Sequence, residues 1–191
     1  MASVSPWNGI ILAWILFVAY WIISARNVKR TAQAESMVVR LPHILVMAIA
    51  YMLLFETHLP LRPLNQRVLP RNDALEATGI LLTWSGVALA IWARVHIGQY
   101  WSARVTLKED HKIISTGPYA YMRHPIYTGL LLATLGTAMV RDQWQCLVAF
   151  ALVLSAHVLK ARKEERLLAG KFGQDYEQYR LSTGFLVPRF R

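Results

Sequence analysis

Cysteine is almost absent: Cys146 is the only one in 191 residues. A single thiol excludes a disulfide framework within the chain and any cysteine-based zinc site. Acidic residues are scarce, 11 Asp and Glu against 21 Lys and Arg, which leaves a net charge of +10. No G-x-G-x-x-G follows a strand-like run, and no G-x-x-x-x-G-K-[ST] occurs. The two common soluble nucleotide-binding turns are therefore missing. His96, His111 and His124 lack metal-ligand spacing, so no metal is expected. No Lys or Arg lies in MASVSPWN ahead of the first apolar run, and no small-x-small site follows it. That argues for a retained span rather than a cleaved signal peptide. No internal repeat or low-complexity run is visible.

What the chain has in excess is apolar and aromatic residues. The hydrophobic fraction is 55%, with seven Trp and eight Tyr, and the mean hydropathy is +0.31. A soluble domain of this length could not hide such runs, so the expected class is an all-α integral membrane protein. Five spans are predicted, at about 7–24, 41–59, 75–97, 125–140 and 143–159, followed by a polar C-terminal tail that is helical to about Arg180. Trp7 and Trp21 sit where interfacial anchors belong. In the third segment Gly79, Thr83, Gly86, Ala90 and Ala93 fall on one helical face, and in the fourth Gly129, Ala133 and Gly136 do the same. Small-residue seams of this kind let two helices approach closely. Arg141-Asp142 is a connection short enough to make the last two spans an antiparallel hairpin. The whole chain, 1–191, reads as one membrane domain.

The basic excess has a direction. Arg62, Arg67, Arg71 and Arg141 lie on the second and fourth connections. All the other Lys and Arg fall on the first connection, the third connection and the tail. The positive-inside rule then sets the N-terminus outside and the C-terminus in the cytoplasm of an inner or plasma membrane. This accounts for the charge without nucleic acid as a partner. It also brings the third connection and the tail to one face.

The third connection holds the densest group of chemistry-bearing residues, HKIISTGPYAYMRHPIY at 111–127. Gly117-Pro118 marks a turn. His124 precedes Pro125 and is biased away from helical geometry, while Pro125 suits a first helical position. The stretch should be a polar re-entry loop with a short helical turn around 119–123. The tail contributes Glu164 and Glu165, an acidic couplet among cations. As surface decoration, a Lys160–Glu164 pair would be worth only about 0.2–0.5 kcal/mol. Tyr faces, cations and a carboxylate together suit a zwitterionic, aromatic-bearing ligand. Within the predicted spans, His43 and His157 are read as helix-end groups and Cys146 as a small buried residue.

The string GPYAYMRHPIYTG, preceded by HKII and followed after one span by KEERLL and FGQDYEQYR, resembles the isoprenylcysteine carboxyl methyltransferase family and related membrane phospholipid methyltransferases. The likeness covers about 101–180. It implies an S-adenosyl-L-methionine-dependent enzyme whose cofactor region, about 98–180, faces the cytoplasm. It implies cofactor contacts from His111, Lys112, Ile113, Ile114, Tyr119, His124, Pro125, Tyr127 and Glu164. Animal members carry Gln at the position of Arg104 and Arg near Lys160. The implied substrate is a lipophilic or prenylated acceptor that arrives from the bilayer among membrane lipids. For a carboxylate acceptor no strong base is needed, and Arg94 or Arg104 could hold it. For an amine acceptor Glu164 or a His would have to take a proton. Phospholipid, amine or thiol methylation, an NADPH-dependent sterol-type reductase and a non-catalytic membrane scaffold remain alternatives at this level.

Overall fold

The computed structural model of the chain describes residues 5–26, 31–34, 37–56, 62–70, 72–101, 106–108 and 113–190, with backbone alone at 31–34 and 106–108. Its long elements are α1 (Pro6–Ser24), α2 (Met37–Phe55), α3 (Asp73–Ile97), α4 (Pro125–Arg141), α5 (Trp144–Phe172) and the short α6 (Gln174–Ser182). Among the described residues four helical stretches, Pro6–Ser24, Met37–Phe55, Asp73–Tyr100 and Trp144–Phe172, are long and apolar enough to cross a membrane. The chain is thus a multi-pass membrane protein. α4 has 17 residues, short for a crossing that needs about 20.

Local chemistry sets the boundaries. Asn72 caps α3 by accepting from the N–H groups of Ala74 (2.9 Å) and Leu75 (3.1 Å), and Asp73 and Glu76 complement the helix dipole in its first turn. Pro6 and Pro125 occupy first-turn positions where a missing N–H costs nothing. Three boundaries depart from the sequence reading, one of them the end of α2 at Phe55, about one turn short of 59. α2 begins at Met37, about one turn earlier than 41, because Pro42 lies inside the helix and does not start it. α5 runs unbroken to Phe172, so the start of the tail is an extension of the last span. Its apolar run ends at Leu159, and from Lys160 on it is polar.

The centre of the fold is the contact between α3 and α4, where both small-residue seams meet. A Cβ on Gly86 would lie 2.4 Å from the backbone N of Ala133 and from the carbonyl O of Gly129. A Cβ on Gly136 would lie 2.4 Å from the Gly79 carbonyl O. Such proximity replaces the hydrophobic drive that lipid cannot supply between helices. Buried hydroxyls add direction. Trp14 of α1 donates its indole N–H to Thr137 Oγ1 at 2.9 Å, and Thr83 Oγ1 lies 3.5 Å from the same oxygen. α5 packs on α2 through Leu53, Leu54, Cys146 and Ala149.

Two pairings join connections that are distant in sequence. The strands β1 (Thr31–Ala34) and β2 (Thr106–Lys108) form an antiparallel ribbon, a small addition to the all-helical expectation. It links the first connection to the third. At the opposite ends of the helices Arg67 bridges to Gln143, and Asp142, in left-handed geometry at φ 51°, accepts from the Leu69 N–H at 3.1 Å and pairs with Arg67 at 2.9 Å. Gln145, almost fully buried, donates to the carbonyls of Leu53 and Glu56 and so caps the end of α2.

Candidate functional site

The loop before α4 is shaped from its backbone outward. The turn is a 3-10 segment, Gly117–Ala120, slightly earlier than the expected 119–123. Gly117 has φ +59°, and a Cβ there would lie 2.7 Å from the His96 ring; both facts require glycine. His96 Nε2 lies 2.8 Å from Thr116 Oγ1, and its ring is near-parallel to that of Tyr119 at 6.3 Å. Tyr119 is buried, and its carbonyl accepts from the Tyr179 hydroxyl at 2.8 Å. Burial above all, with nearby Tyr179 and Glu164, pushes the Tyr119 phenol well up, and Arg94 opposes only in part. Tyr119 therefore offers a neutral hydroxyl and a ring.

His124 is the residue that caps α4, at φ −124° and ψ 56°, outside helical geometry as its place before Pro125 demands. Its ring is parallel to Tyr127, with centroids 5.5 Å apart and planes 7° apart. One face of the site comes from α4 and the other from the polar extension of α5. Successive helix positions are about 100° apart, so Glu164 and Glu165 reach different partners. Glu164 accepts from the Tyr127 hydroxyl at 2.7 Å, and its other oxygen lies 3.8 Å from His124 Nδ1. Glu165 takes Arg123 Nε at 2.5 Å and lies 3.1 Å from His124 Nε2. Burial alone would raise the Glu165 carboxyl; the hydrogen bonds from His124 and Arg123 outweigh it and hold the group below the usual range.

Tyr127 is boxed in on its remaining sides. The His157 ring stands steeply to it, with centroids 4.8 Å apart, and Lys160 Nζ sits 5.5 Å over the Tyr127 ring. Pro125 is fully buried beside it. Ile113 and Ile114 are half-buried, and Ile114 joins the α1–α3–α4 core. Arg104, His111 and Lys112 lie outside the described residues.

Arg94 is almost completely buried. It donates to the Gly98 carbonyl and to the Ser24 carbonyl, each at 2.7 Å, and its guanidinium lies 4.5 Å over Trp101. It thereby ties the end of α1 to the end of α3. Among the described residues its Nε meets no hydrogen-bond partner.

Sequence reasoning missed the part played by the C-terminal segment. The Arg123 and His124 N–H groups donate to the carbonyls of Gly184 (2.9 Å) and Phe185 (3.3 Å), and the Gly184 N–H donates back to Tyr121 at 3.0 Å. Arg123 also donates to the Thr183 carbonyl at 2.7 Å and the Arg180 carbonyl at 3.0 Å. Backbone pairing of this kind leaves little trace in side-chain types. The only signals were Gly184 and an Arg next to the His-Pro pair.

The donor and acceptor set fits S-adenosyl-L-methionine. Glu164 keeps an oxygen with only a long contact and is partly exposed, which suits an ammonium or ribose hydroxyl donor. Half-buried Tyr127 holds that carboxylate through its hydroxyl.

Comparison with known proteins agrees with the family resemblance. The model of the isoprenylcysteine carboxyl methyltransferase family matches residues 79–170. A probable protein-S-isoprenylcysteine O-methyltransferase of Oryza sativa subsp. indica is 30% identical over 163 residues, which is 84% of this chain and 83% of the relative. The chain belongs to the isoprenylcysteine carboxyl methyltransferase family. The protein-S-isoprenylcysteine O-methyltransferase of Schizosaccharomyces pombe is 40% identical over 99 residues, covering 50% of this chain and 42% of its own length. A solved structure of a eukaryotic intramembrane Ras methyltransferase of this family has the same fold, with a TM-score of 0.54 at 24% identity over 77% of this chain and 52% of that one. The chain thus spans less than half of the yeast relative and about half of the solved chain. The matched region runs from the second turn of α3 almost to the end of α5 and includes the loop, α4 and the Glu164–Glu165 couplet.

Proposed function

We propose that the chain is an S-adenosyl-L-methionine-dependent methyltransferase acting on the carboxylate of an isoprenylcysteine-like, lipophilic acceptor. The observation that carries this reading is the convergence of Tyr127, His124 and Glu164 from two helices within a family of such enzymes. His111, Lys112, Ile113, Ile114, Tyr119, His124, Pro125, Tyr127 and Glu164 would hold the cofactor, within a 98–180 region of one membrane domain. The bound cofactor supplies an already activated methyl group. The chain then has to align the acceptor and exclude water.

Two charged groups have distinct tasks. Glu164, held by the Tyr127 hydroxyl, receives the cationic or hydroxyl end of the cofactor. Arg94 or Arg104 positions the acceptor carboxylate. In support, the Arg94 Nε is buried with no partner among the described residues, and leaving such a donor unmet costs about 1–3 kcal/mol. A carboxylate needs no general base, so no proton has to be moved at this site.

We also propose five crossings, the N-terminus outside, and the site and C-terminus in the cytoplasm. The ribbon β1–β2 joins the two basic connections, and the Arg67–Gln143 bridge joins the two opposite ones. That pairing supports α4 as a fifth crossing despite its 17 residues. The deciding experiment is transfer of a radiolabelled methyl group from the cofactor to a farnesylated cysteine carrying a free carboxylate, in membranes containing the protein. Base-labile label is expected, as a methyl ester requires. Label that resists base, or no label above empty membranes, overturns the proposal.

A further inference from the structure

We infer that Phe185, on the C-terminal segment, is a positioning residue for the cofactor site; the inference rests on the cofactor reading above. No part of the reaction requires Phe185 to touch a ligand. Its ring stands edge-on to His124, with centroids 5.2 Å apart and planes 75° apart. Its face carries the Arg123 guanidinium at 5.7 Å. The parallel Tyr127 ring stacks on His124 as well. Phe185 and Tyr127 therefore both rest against His124, whose two ring nitrogens address Glu164 and Glu165. Without the Phe185 ring, the His124 ring could tip away from Tyr127 and loosen the Glu164 carboxylate that Tyr127 holds.

The backbone fixes where Phe185 stands. The bond from the Gly184 N–H to the Tyr121 carbonyl, the bond from the Arg123 N–H to the Gly184 carbonyl and the bond from the His124 N–H to the Phe185 carbonyl set its register. Gly184 cannot carry a side chain there, because a Cβ would lie 1.8 Å from the Val187 carbonyl O. Thr128, in the first turn of α4, donates to the Leu186 carbonyl at 2.6 Å and closes the far end. The segment 183–189 is thus a strap that the loop reads through backbone bonds and one aromatic side chain.

The test uses the full chain purified in detergent and calorimetric titration with S-adenosylhomocysteine. Phe185→Leu keeps apolar bulk and removes the ring. Its affinity is expected to fall roughly three- to tenfold, the scale of one aromatic contact, while the unfolding temperature without ligand stays near native. Phe185→Tyr keeps the ring and is expected to restore native affinity. The inference is overturned if Phe185→Leu binds as tightly as the native chain. It is also overturned if Phe185→Tyr binds as weakly as Phe185→Leu, or if weaker binding tracks a lower unfolding temperature. If the native chain binds no S-adenosylhomocysteine, the cofactor reading itself fails and the inference falls with it.

Discussion

Replacing Gly86 by alanine tests the packing on which the site is built. The added Cβ would lie 2.4 Å from two backbone atoms of α4 and 3.0 Å from a third, where ordinary contact begins at 3.4 Å. Neither partner is a flexible side chain, so the helices themselves must part, by about 1 Å. The seam is reciprocal: the open position at Gly129 lies 2.5 Å from the Gly86 carbonyl O. Parting there loosens contacts along the whole face, including the 3.4 Å approach of Thr83 Oγ1 to the Ala133 carbonyl. Overpacking of this kind costs about 1–3 kcal/mol. Gly170→Ala is the matched control. It lies in the polar end of α5 with nothing within 4 Å of its open position, and helix propensity alone should gain up to about 1 kcal/mol. Thermal unfolding of both variants in detergent should therefore show shifts of opposite sign. A Gly86→Ala chain as stable as Gly170→Ala would refute the close-packed seam.

Other outcomes follow from the site. Tyr127→Phe removes the 2.7 Å hydroxyl donor to Glu164. A hydrogen bond to a charged group contributes about 1.5–3 kcal/mol, so S-adenosylhomocysteine affinity should fall roughly tenfold or more by calorimetry; native affinity would remove the role given to that hydroxyl. Glu165 has a lowered carboxyl, so it stabilises the fold above the ordinary carboxylate range. That contribution fades as pH falls through the folded value. The native chain should lose more thermal stability than Glu165→Gln as pH is taken from about 4.5, the ordinary carboxylate value, down through the lowered folded one, and parallel profiles would argue against the Arg123–Glu165–His124 arrangement.

Much of the frame was legible because membrane spans declare themselves by length and hydropathy. The small residues at 79, 83, 86, 129, 133 and 136 announced a seam by their spacing alone, and α3 and α4 do meet there. The loop was legible in outline, since Gly117, His124 and Pro125 each restrict the backbone in a way that a sequence reveals. Register was harder. α2 starts about one turn before 41 and carries Pro42 inside it. The strap was invisible because its bonds run through the backbone of 121–124 and 183–189, which any side chain permits. Arg94 drew notice as a cation near a helix end, yet its grip on the Ser24 carbonyl depends on a helix 70 residues earlier in the chain. Arg123 and Glu165 were each visible, but that they pair depends on how α5 lies beside the loop.

The most direct measurement is calorimetric titration of the detergent-purified chain with S-adenosylhomocysteine, run beside Glu164→Gln. The native chain should bind with one site, and the variant should lose most of that affinity while unfolding at a similar temperature. Equal binding by both proteins would contradict the account, because Glu164 would then play no part in holding the methyl donor.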